Sequence, residues 1–281
     1  MATISNSELY PFDTFPADDL SDHSDTVQRM EAGDLTGVVV EGLFTPDFCA
    51  RVVARFQQAV QEEPGKHLYY PAPFGHVFGT TLMENDLPGY LQRAKLTDQV
   101  LEDCFLHQYK ATIFSFLARL GRGYRFLPAV HTDGQRFSMS GVRILEGGKE
   151  PLEAHIHQEF PLHFPSYQGV THQLDLGTEL SYYVVLQAPE SGGDLVLYDL
   201  TWEDTPEDYL DSSAFMSKVR ADRLQSGDRM HLRLQAGDAI LFAANRVWHR
   251  VEPVAESSRP RITVGGFLAK AKDKNHYGLF I

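Results

Sequence analysis

The stretch GDAILFAANRVWHRV, residues 237–251, has the pattern of two short strands joined by a turn. The Gly-Asp pair at its start is typical of a turn, the apolar run 239–243 predicts a buried strand, and His249 opens the next strand. Short apolar strands between Gly, Pro and Asp turns recur through residues 136–281. Many short strands at such spacing predict a β-sandwich or jelly roll.

The chain before residue 136 has a different character. Residues 1–35 are polar and acidic, which predicts an irregular N-terminal segment. Residues 36–135 predict a strand followed by helices, and we expect these helices to buttress one sheet of the jelly-roll core. The predicted fold class is therefore mainly β with flanking helices (α+β), in a single domain that spans residues 1–281.

Two helices can be placed in the part of the chain before the jelly roll. Thr45 is a predicted N-cap and Pro46 a predicted first helical residue. Apolar side chains recur at steps of three and four over residues 97–120, which predicts one longer helix with Leu106 in its buried stripe.

The charge and the cysteine content narrow the class of partner. The formal net charge is -13, so the sequence has no basic footprint for nucleic acid or for an anionic membrane surface. The two cysteines, Cys49 and Cys104, are predicted to be buried reduced thiols. The N-terminus has no apolar core of a signal peptide, and no apolar run approaches the ~20 residues of a membrane span. We expect a soluble, cytoplasmic protein whose partner is a small molecule.

The stretch AHIHQEF, residues 154–160, contains three candidate metal ligands. His155, His157 and Glu159 occupy alternate positions, so on a strand their side chains point to the same face. With the distant His249 they can form a facial triad, the arrangement of non-haem iron oxygenases.

A third stretch, RPRITVGGF at residues 259–267, adds a basic group after the last histidine. Arg261 and Thr263 share a strand face by alternation. Arg259 lies on the same face by parity and remains a competitor of Arg261, although the intervening Pro260 favours a loop at Arg259. A guanidinium binds a carboxylate through two parallel hydrogen bonds, so Arg261 fits the distal carboxylate of 2-oxoglutarate. The order of histidine pair, Gly-Asp turn, histidine and arginine is more specific than any one of these motifs.

With these motifs in place, the chain resembles a known enzyme family from about residue 36 onward. The resemblance rests on the stretches TGVVVEGLFTPDF, GVRILEGGKE, GDAILFAANRVWHRVEP and RITVGGFLAKAKDKNHYG. It is to the iron/2-oxoglutarate enzymes that include the freestanding indole-alkaloid halogenases and an N-succinyl amino-acid hydroxylase. The resemblance implies a double-stranded β-helix (a cupin-like jelly roll), Fe(II), 2-oxoglutarate and O₂.

The resemblance also implies roles for individual residues. His155 matches the first iron histidine and His249 the second, while Arg261 matches the arginine that holds 2-oxoglutarate. Position 157 carries Asp or Glu in hydroxylases of the family and Gly in halogenases, where the Gly leaves a site for chloride. The residue here, His157, departs from both. Arg143, in the strand before the histidine pair, can assist the anionic cosubstrate or the substrate.

Two metal sets remain open from the sequence. In the first, His155, His157 and His249 form a three-histidine triad, and Glu159 acts as a hydrogen-bond acceptor for an imidazole or as a catalytic base facing the substrate. In the second, the strand is displaced by two residues, and His157, Glu159 and His249 form a two-histidine, one-carboxylate site. Such a displacement keeps every side chain on its face, so alternation cannot distinguish the two sets.

The predicted reaction is C–H hydroxylation of a small natural-product or amino-acid-like substrate. Three alternatives remain: a three-histidine dioxygenase that does not use 2-oxoglutarate, a halogenase-like relative, and a non-catalytic binding domain on the same fold. The segment 203–222 interrupts the strands and is predicted to be a helical or lid-like insertion.

Overall fold

Two β-sheets pack face to face and form the body of the structure, a computed structural model. It describes residues 1–62, 69–72, 75–150, 153–272 and 275–281, with no description of the side chains of residues 62–75. The strands are β1 (Thr3–Ser5), β2 (Phe12–Pro16), β3 (Gly37–Glu41), β4 (Tyr69–Ala72), β5 (Gly75–Phe78), β6 (Arg125–Pro128), β7 (Gly141–Leu145), β8 (Leu174–Gln187), β9 (Leu195–Thr201), β10 (Arg229–Arg233), β11 (Ala239–Phe242), β12 (Val247–Val251), β13 (Arg261–Ala271) and β14 (His276–Phe280).

The α-helices lie mostly in the first half of the chain. They are α1 (Thr26–Ala32), α2 (Pro46–Glu62), α3 (Leu87–Cys104), α4 (Tyr109–Leu120), α5 (Phe160–His163), α6 (Gln168–Thr171) and α7 (Lys218–Leu224). A longer 3₁₀ helix spans Ala17–His23, and single 3₁₀ turns span Leu82–Glu84, His157–Glu159, Pro165–Tyr167 and Glu207–Tyr209. None of the helices within the described ranges is long and apolar enough to cross a membrane.

The strand order is that of a sandwich of unequal sheets. The smaller sheet has the order β1-β10-β9-β12, and the larger has the order β2-β3-β11-β8-β13-β7-β5-β4. Strand β14 pairs with β13 and, in parallel, with β6. Strand β13 is long enough to pair with β7 along its first half and with β14 along its second half. Strand β13 therefore connects Arg261 and Thr263, the candidate cosubstrate-binding residues, to the rest of the larger sheet.

The two faces of the larger sheet bury different partners. Val185 and Ile240 face the smaller sheet and pack against Leu197 of β9. The opposite face, which includes Val184, packs against α2 and α4. Because neighbouring residues of β8 point to opposite faces, a single run of apolar residues serves both cores. The predicted mainly β fold with buttressing helices is confirmed.

The cap predicted for α2 is present, since the Phe48 backbone N–H donates to the Thr45 hydroxyl oxygen over 3.3 Å. Cys49 and Cys104, also predicted from sequence, are buried and free. Burial raises the pKa of Cys49 to about 12 and that of Cys104 to about 11. Both thiols are therefore protonated near neutral pH and unreactive.

The prediction of an irregular N-terminal segment over residues 1–35 is wrong. Strand β1 pairs with β10 at the edge of the smaller sheet, and β2 pairs in parallel with β3 at the edge of the larger. Helix α1 follows, and Leu20 and Val27 are buried in the core beside the larger sheet. Edge strands bury few of their side chains, so their apolar signal is too weak to stand out from a polar, acidic stretch.

The single long helix predicted over residues 97–120 is in fact two helices. The chain reverses between α3 and α4, where Leu106 and His107 have positive φ values of 55° and 61°. The Glu102 carboxylate accepts the Lys110 backbone N–H over 2.7 Å and so caps the start of α4. Phe105 is fully buried, whereas Leu106, which the sequence places in the core, is 38% exposed.

The helix break predicts that Phe105→Ala and Leu106→Ala lower the free energy of unfolding by different amounts. Phe105→Ala removes a ring that packs against Phe44, Phe56 and Tyr109, and should lower the free energy of unfolding by about 3–5 kcal/mol. Leu106→Ala should cost less than about 1 kcal/mol because its side chain is partly in solvent. Urea denaturation of both variants measures the difference. Equal costs, or a larger cost for Leu106→Ala, would contradict the two-helix arrangement.

Candidate metal centre

The histidine pair lies where a loop of the chain meets strand β12. His155 and His249 exchange two backbone hydrogen bonds of 3.0 Å, and the His157 backbone N–H donates to the Ala244 carbonyl over 3.1 Å. The chain then turns at once into the 3₁₀ turn His157–Glu159. The predicted strand through residues 154–160 is therefore wrong, because pairing is limited to an isolated bridge at His155.

Three imidazoles come together despite the short pairing. His155, His157 and His249 are 5%, 5% and 4% exposed, and one ring nitrogen of each lies within 4.8 Å of those of the other two. The ring centroids of His155 and His249 are 4.5 Å apart, and those of His157 and His249 are 4.9 Å apart. Such a group can hold one metal ion on a single face.

The second ring nitrogen of each histidine already has a partner. Nδ1 of His155 lies 2.7 Å from the Glu153 carbonyl oxygen. Nδ1 of His157 lies 2.6 Å from Oε1 of Glu179, and Nδ1 of His249 lies 3.0 Å from the Val247 carbonyl oxygen. A carbonyl oxygen can only accept, so His155 and His249 carry their proton on Nδ1. Their Nε2 lone pairs are then available to a metal.

Electrostatics keep the three rings neutral. Burial lowers the pKa of His155 and of His157 well below the ordinary value, and the neighbouring His249 adds to this effect for both. Burial also lowers the pKa of His249 to about 4. Protons therefore do not compete with a metal for these ring nitrogens near neutral pH.

Glu159 lies outside this group. Its carboxylate accepts hydrogen bonds from the Arg220 guanidinium, 3.1 Å from Nη1 to Oε2 and 3.3 Å from Nη2 to Oε1, and one from the Ile156 backbone N–H. The 3₁₀ turn ends the alternation that the sequence suggested, so the prediction that Glu159 shares a face with His155 and His157 is wrong. Burial raises the pKa of Glu159 to about 7, an effect that Arg220 opposes.

Sequence predicted three roles for Glu159: metal ligand, hydrogen-bond acceptor for an imidazole, or catalytic base. Its hydrogen-bond donors among the described residues are Arg220 and Ile156, not an imidazole. It does not line the cavity beside the histidines, where a base that faces the substrate belongs. Its contacts support the second metal set, with Glu159 as a ligand, less well than the first. A fully buried carboxylate held by an arginine is costly to move, because separating the two leaves a buried charge unpaired.

Arg220 joins the insertion 203–222 to the metal loop. The insertion is only partly helical, with a 3₁₀ turn at Glu207–Tyr209 and α7 from Lys218. Arg220 is 3% exposed, donates to the Tyr209 carbonyl over 2.8 Å and lies 4.7 Å from the ring centroid of Trp248. The burial of Arg220 was not predicted from the sequence, because an isolated arginine in a polar segment is usually a surface residue.

A cavity of about 80 Å³ opens beside the three imidazoles. Arg261 and Thr263 both line the cavity, as their alternation on β13 predicts. Arg143, which lies opposite Thr263 on the neighbouring strand β7, lines it as well. Its remaining polar side chains come from β8: Ser181, Tyr182 and Tyr183. Among the described residues, the cavity is lined by two guanidinium groups and several hydroxyls but by no Asp or Glu side chain, which suits an anionic ligand.

Arg261 and Tyr183 form the most distinct anion-binding pair. The Arg261 guanidinium carbon lies 5.1 Å from the Tyr183 ring centroid. The Tyr183 hydroxyl is buried and has no hydrogen-bond partner among the described residues. Gly193, with φ of 74°, leaves room for Arg261, since a Cβ there would lie 3.0 Å from Arg261 Cδ. Tyr183 was missed from sequence because it lies within an apolar strand.

Solved structures with the same fold are oxygenases and related enzymes. The chain is similar to an N-substituted L-amino acid dioxygenase from Burkholderia ambifaria AMMD, whose structure was determined in complex with α-ketoglutarate. The two share 14% sequence identity, the alignment covers 92% of this chain and 91% of that chain, and the TM-score is 0.57. It is also similar to the non-heme α-ketoglutarate-dependent epimerase SnoN from nogalamycin biosynthesis, with 16% identity, 90% and 86% coverage, and a TM-score of 0.51.

The carbocyclase SnoK from the same biosynthesis is a third such structure, with 13% identity, 89% and 88% coverage, and a TM-score of 0.51. At these identities the likeness shows a common fold. No curated protein sequence matches the chain. The model of one family, the carrier-protein-independent halogenase WelO5, matches residues 9–280. This match confirms the predicted resemblance and the prediction of an enzyme. The chain belongs to the family of the carrier-protein-independent halogenase WelO5.

Proposed function

We propose that the chain is an Fe(II)- and 2-oxoglutarate-dependent oxygenase whose iron is held by His155, His157 and His249. The observation that carries this proposal is the convergence of three buried, neutral imidazoles, each with its Nδ1 already hydrogen-bonded. Imidazole suits iron, although it also suits zinc and copper, so the donor set fits the metal without selecting it alone. When bound, iron supplies the oxidising chemistry with O₂.

Arg261 supports the 2-oxoglutarate part of the proposal. It is 8% exposed, lines the cavity beside the imidazoles and, within the described part of the chain, has no carboxylate at ion-pair distance. Its guanidinium and the unpartnered Tyr183 hydroxyl can bind the distal carboxylate of the cosubstrate. Thr263, on the same strand face, and Arg143 add a hydroxyl and a second positive charge at the cavity wall.

Charge supports the same assignment. Three neutral imidazoles leave the full charge of a divalent ion in place, so an anionic cosubstrate gains more attraction here than beside a carboxylate ligand. Aromatic rings flank the imidazoles, since the centroids of Phe160, Phe242 and Phe267 lie within 5.1 Å of a histidine ring centroid. The chain's contribution is thus to hold the ligands neutral and to bind the anion.

We further propose C–H hydroxylation of a small natural-product or amino-acid-like substrate. The B. ambifaria dioxygenase, which shares the fold, acts on N-substituted L-amino acids according to its description. His157 occupies the position where the halogenases that this chain resembles carry Gly. The imidazole therefore fills the site that the Gly leaves open for chloride in those enzymes. The cytoplasmic location expected from the sequence remains a prediction.

The two metal sets that the sequence left open predict opposite effects of His155→Ala and Glu159→Gln. His155→Ala removes the ligand that belongs only to the first set and should weaken Fe(II) binding by more than the roughly 10–100-fold that is typical of losing a residue behind a ligand. Glu159→Gln should leave the affinity within about threefold, since Gln can still accept from Arg220. Equilibrium titration with Fe(II) under anaerobic conditions measures both.

His163→Ala is the matched control for this pair, because His163 follows the same turn yet lies outside the three-imidazole group. It should bind Fe(II) like the unsubstituted protein. Normal affinity in His155→Ala together with lost affinity in Glu159→Gln would refute the three-histidine set and support the second. A chain that binds no metal at all would favour a non-catalytic binding domain.

The cosubstrate assignment predicts that Arg261→Gln weakens 2-oxoglutarate binding. Losing one partner of a buried charged pair costs about 2 kcal/mol or more, at least about thirtyfold in affinity. Arg259→Gln is the control, because Arg259 is exposed and pairs with Glu190 over 3.2 Å. Calorimetry on Co(II)-loaded protein measures both variants. Absence of 2-oxoglutarate binding to the metal-loaded wild type would favour a dioxygenase that does not use this cosubstrate.

The reaction type predicts an oxygenated and unchlorinated product from the wild type in chloride-containing buffer. The His157→Gly variant is the matched comparison, because it opens the position that the imidazole fills. Mass spectrometry of the product distinguishes the two reactions by the chlorine isotope pattern. Chlorinated product from the wild type would contradict hydroxylation, whereas chlorination confined to His157→Gly would show that the imidazole blocks halide.

A further inference from the structure

Glu179 is a buried carboxylate with a single polar partner, His157, within the described ranges. It lies on β8, is 1% exposed, and places Oε1 2.6 Å from Nδ1 of His157. Among the described residues it has no arginine or lysine at ion-pair distance. Burying a carboxylate costs several kcal/mol unless charge or hydrogen bonds offset the loss of water. Burial raises the pKa of Glu179 well above its ordinary value, and a single neutral imidazole offsets only part of the cost of the charged form. A charged Glu179 therefore calls for another source of positive charge.

The three histidines differ in what lies behind them. The Nδ1 atoms of His155 and His249 face backbone carbonyls, whereas that of His157 faces the Glu179 carboxylate. A carboxylate behind a metal-bound imidazole fixes the tautomer and the ring orientation, and it makes the ring a stronger donor. A divalent ion on the far side of His157 would supply the positive charge that Glu179 lacks.

The local structure of β8 explains how Glu179 reaches this place. The pairing between β8 and β13 is irregular here: Leu180 lies opposite Leu268, but Asp175 lies opposite Lys270. Residues 176–179 thus fall in a bulged stretch. Bulges near functional sites re-aim a side chain that regular pairing would direct elsewhere. The irregular stretch therefore presents Glu179 to the imidazole.

We propose that Glu179 is a positioning residue for the metal: it holds the ring of His157 with Nε2 towards the ion and returns a negative charge to the site one imidazole away from it. This assignment rests on the proposed metal set. It places a carboxylate close to a metal site whose three proposed ligands are all neutral. Glu179 does not touch the metal, so its effect must pass through His157.

A double-substitution cycle with Co(II) as the probe tests this dependence. Glu179→Gln keeps the shape and an acceptor oxygen but removes the charge, and should weaken Co(II) binding by about 10–100-fold. In the His157→Asp background there is no imidazole for Glu179 to act through. There the same Glu179→Gln change should alter the affinity by less than about twofold. The cycle therefore separates action through His157 from a general effect on the fold.

Asp238→Asn is the control for loss of a buried carboxylate. Asp238 is 5% exposed and accepts backbone N–H groups from Gly42 and Gln235, away from the cavity, so its substitution should leave Co(II) affinity unchanged. Equal weakening by Glu179→Gln in both backgrounds would show a merely structural role and overturn the assignment. No weakening in the presence of His157 would overturn it as well.

A measurement on unsubstituted protein keeps the assignment testable if Glu179→Gln does not fold. In Zn(II)-loaded protein with ¹⁵N-labelled histidine, the His157 Nδ1–H should appear in NMR spectra as a protected, strongly deshielded proton. Absence of a protonated Nδ1 on His157 would overturn the assignment. Wild-type protein that binds neither Co(II) nor Zn(II) would overturn the proposed metal set itself, whereas normal wild-type binding with an unaffected Glu179→Gln would overturn only the role of Glu179.

Discussion

The two backbone hydrogen bonds between His155 and His249 are the constraint on which the rest of the site depends. They join a loop after β7 to strand β12 and set two imidazoles side by side within the sandwich. The His157 N–H bond to Ala244 adds a third fixed point, after which the chain must turn. Backbone pairing thus places the three candidate ligands, and hydrogen bonds at their Nδ1 atoms orient the rings.

Two buried carboxylates flank this loop and do different things. Glu159 forms an ion pair with Arg220, which ties the metal loop to the insertion 203–222 and to Trp248 beside His249. In the described part of the chain, Glu179 has no such cation and approaches His157 instead. In the proposed iron site, the carboxylate that a hydroxylase of the family would carry as a ligand is therefore replaced by one that lies behind an imidazole. This arrangement links the unusual residue at position 157 to a compensating one elsewhere in the chain.

Much of the architecture could be predicted from the sequence, since short apolar strands, the Thr45 cap and the alternation of Arg261 and Thr263 are local signals. The three histidines were identified by spacing and order. The helix break at Leu106 and the turn after His157 were not predicted, because the periodic sequence patterns continue through both. Glu179 and Arg220 gave no signal, since a charged residue in a strand or surface segment looks solvent-exposed until its partner is known.

The central claim is that an imidazole has replaced the carboxylate in the coordination shell of the iron. X-ray absorption spectroscopy of the Fe(II)-loaded protein, compared with the same protein carrying Glu159→Gln, tests it most directly. The account predicts three imidazole ligands from the chain and identical spectra for the two proteins. A spectrum with two imidazoles and a protein carboxylate that disappears in Glu159→Gln would contradict it.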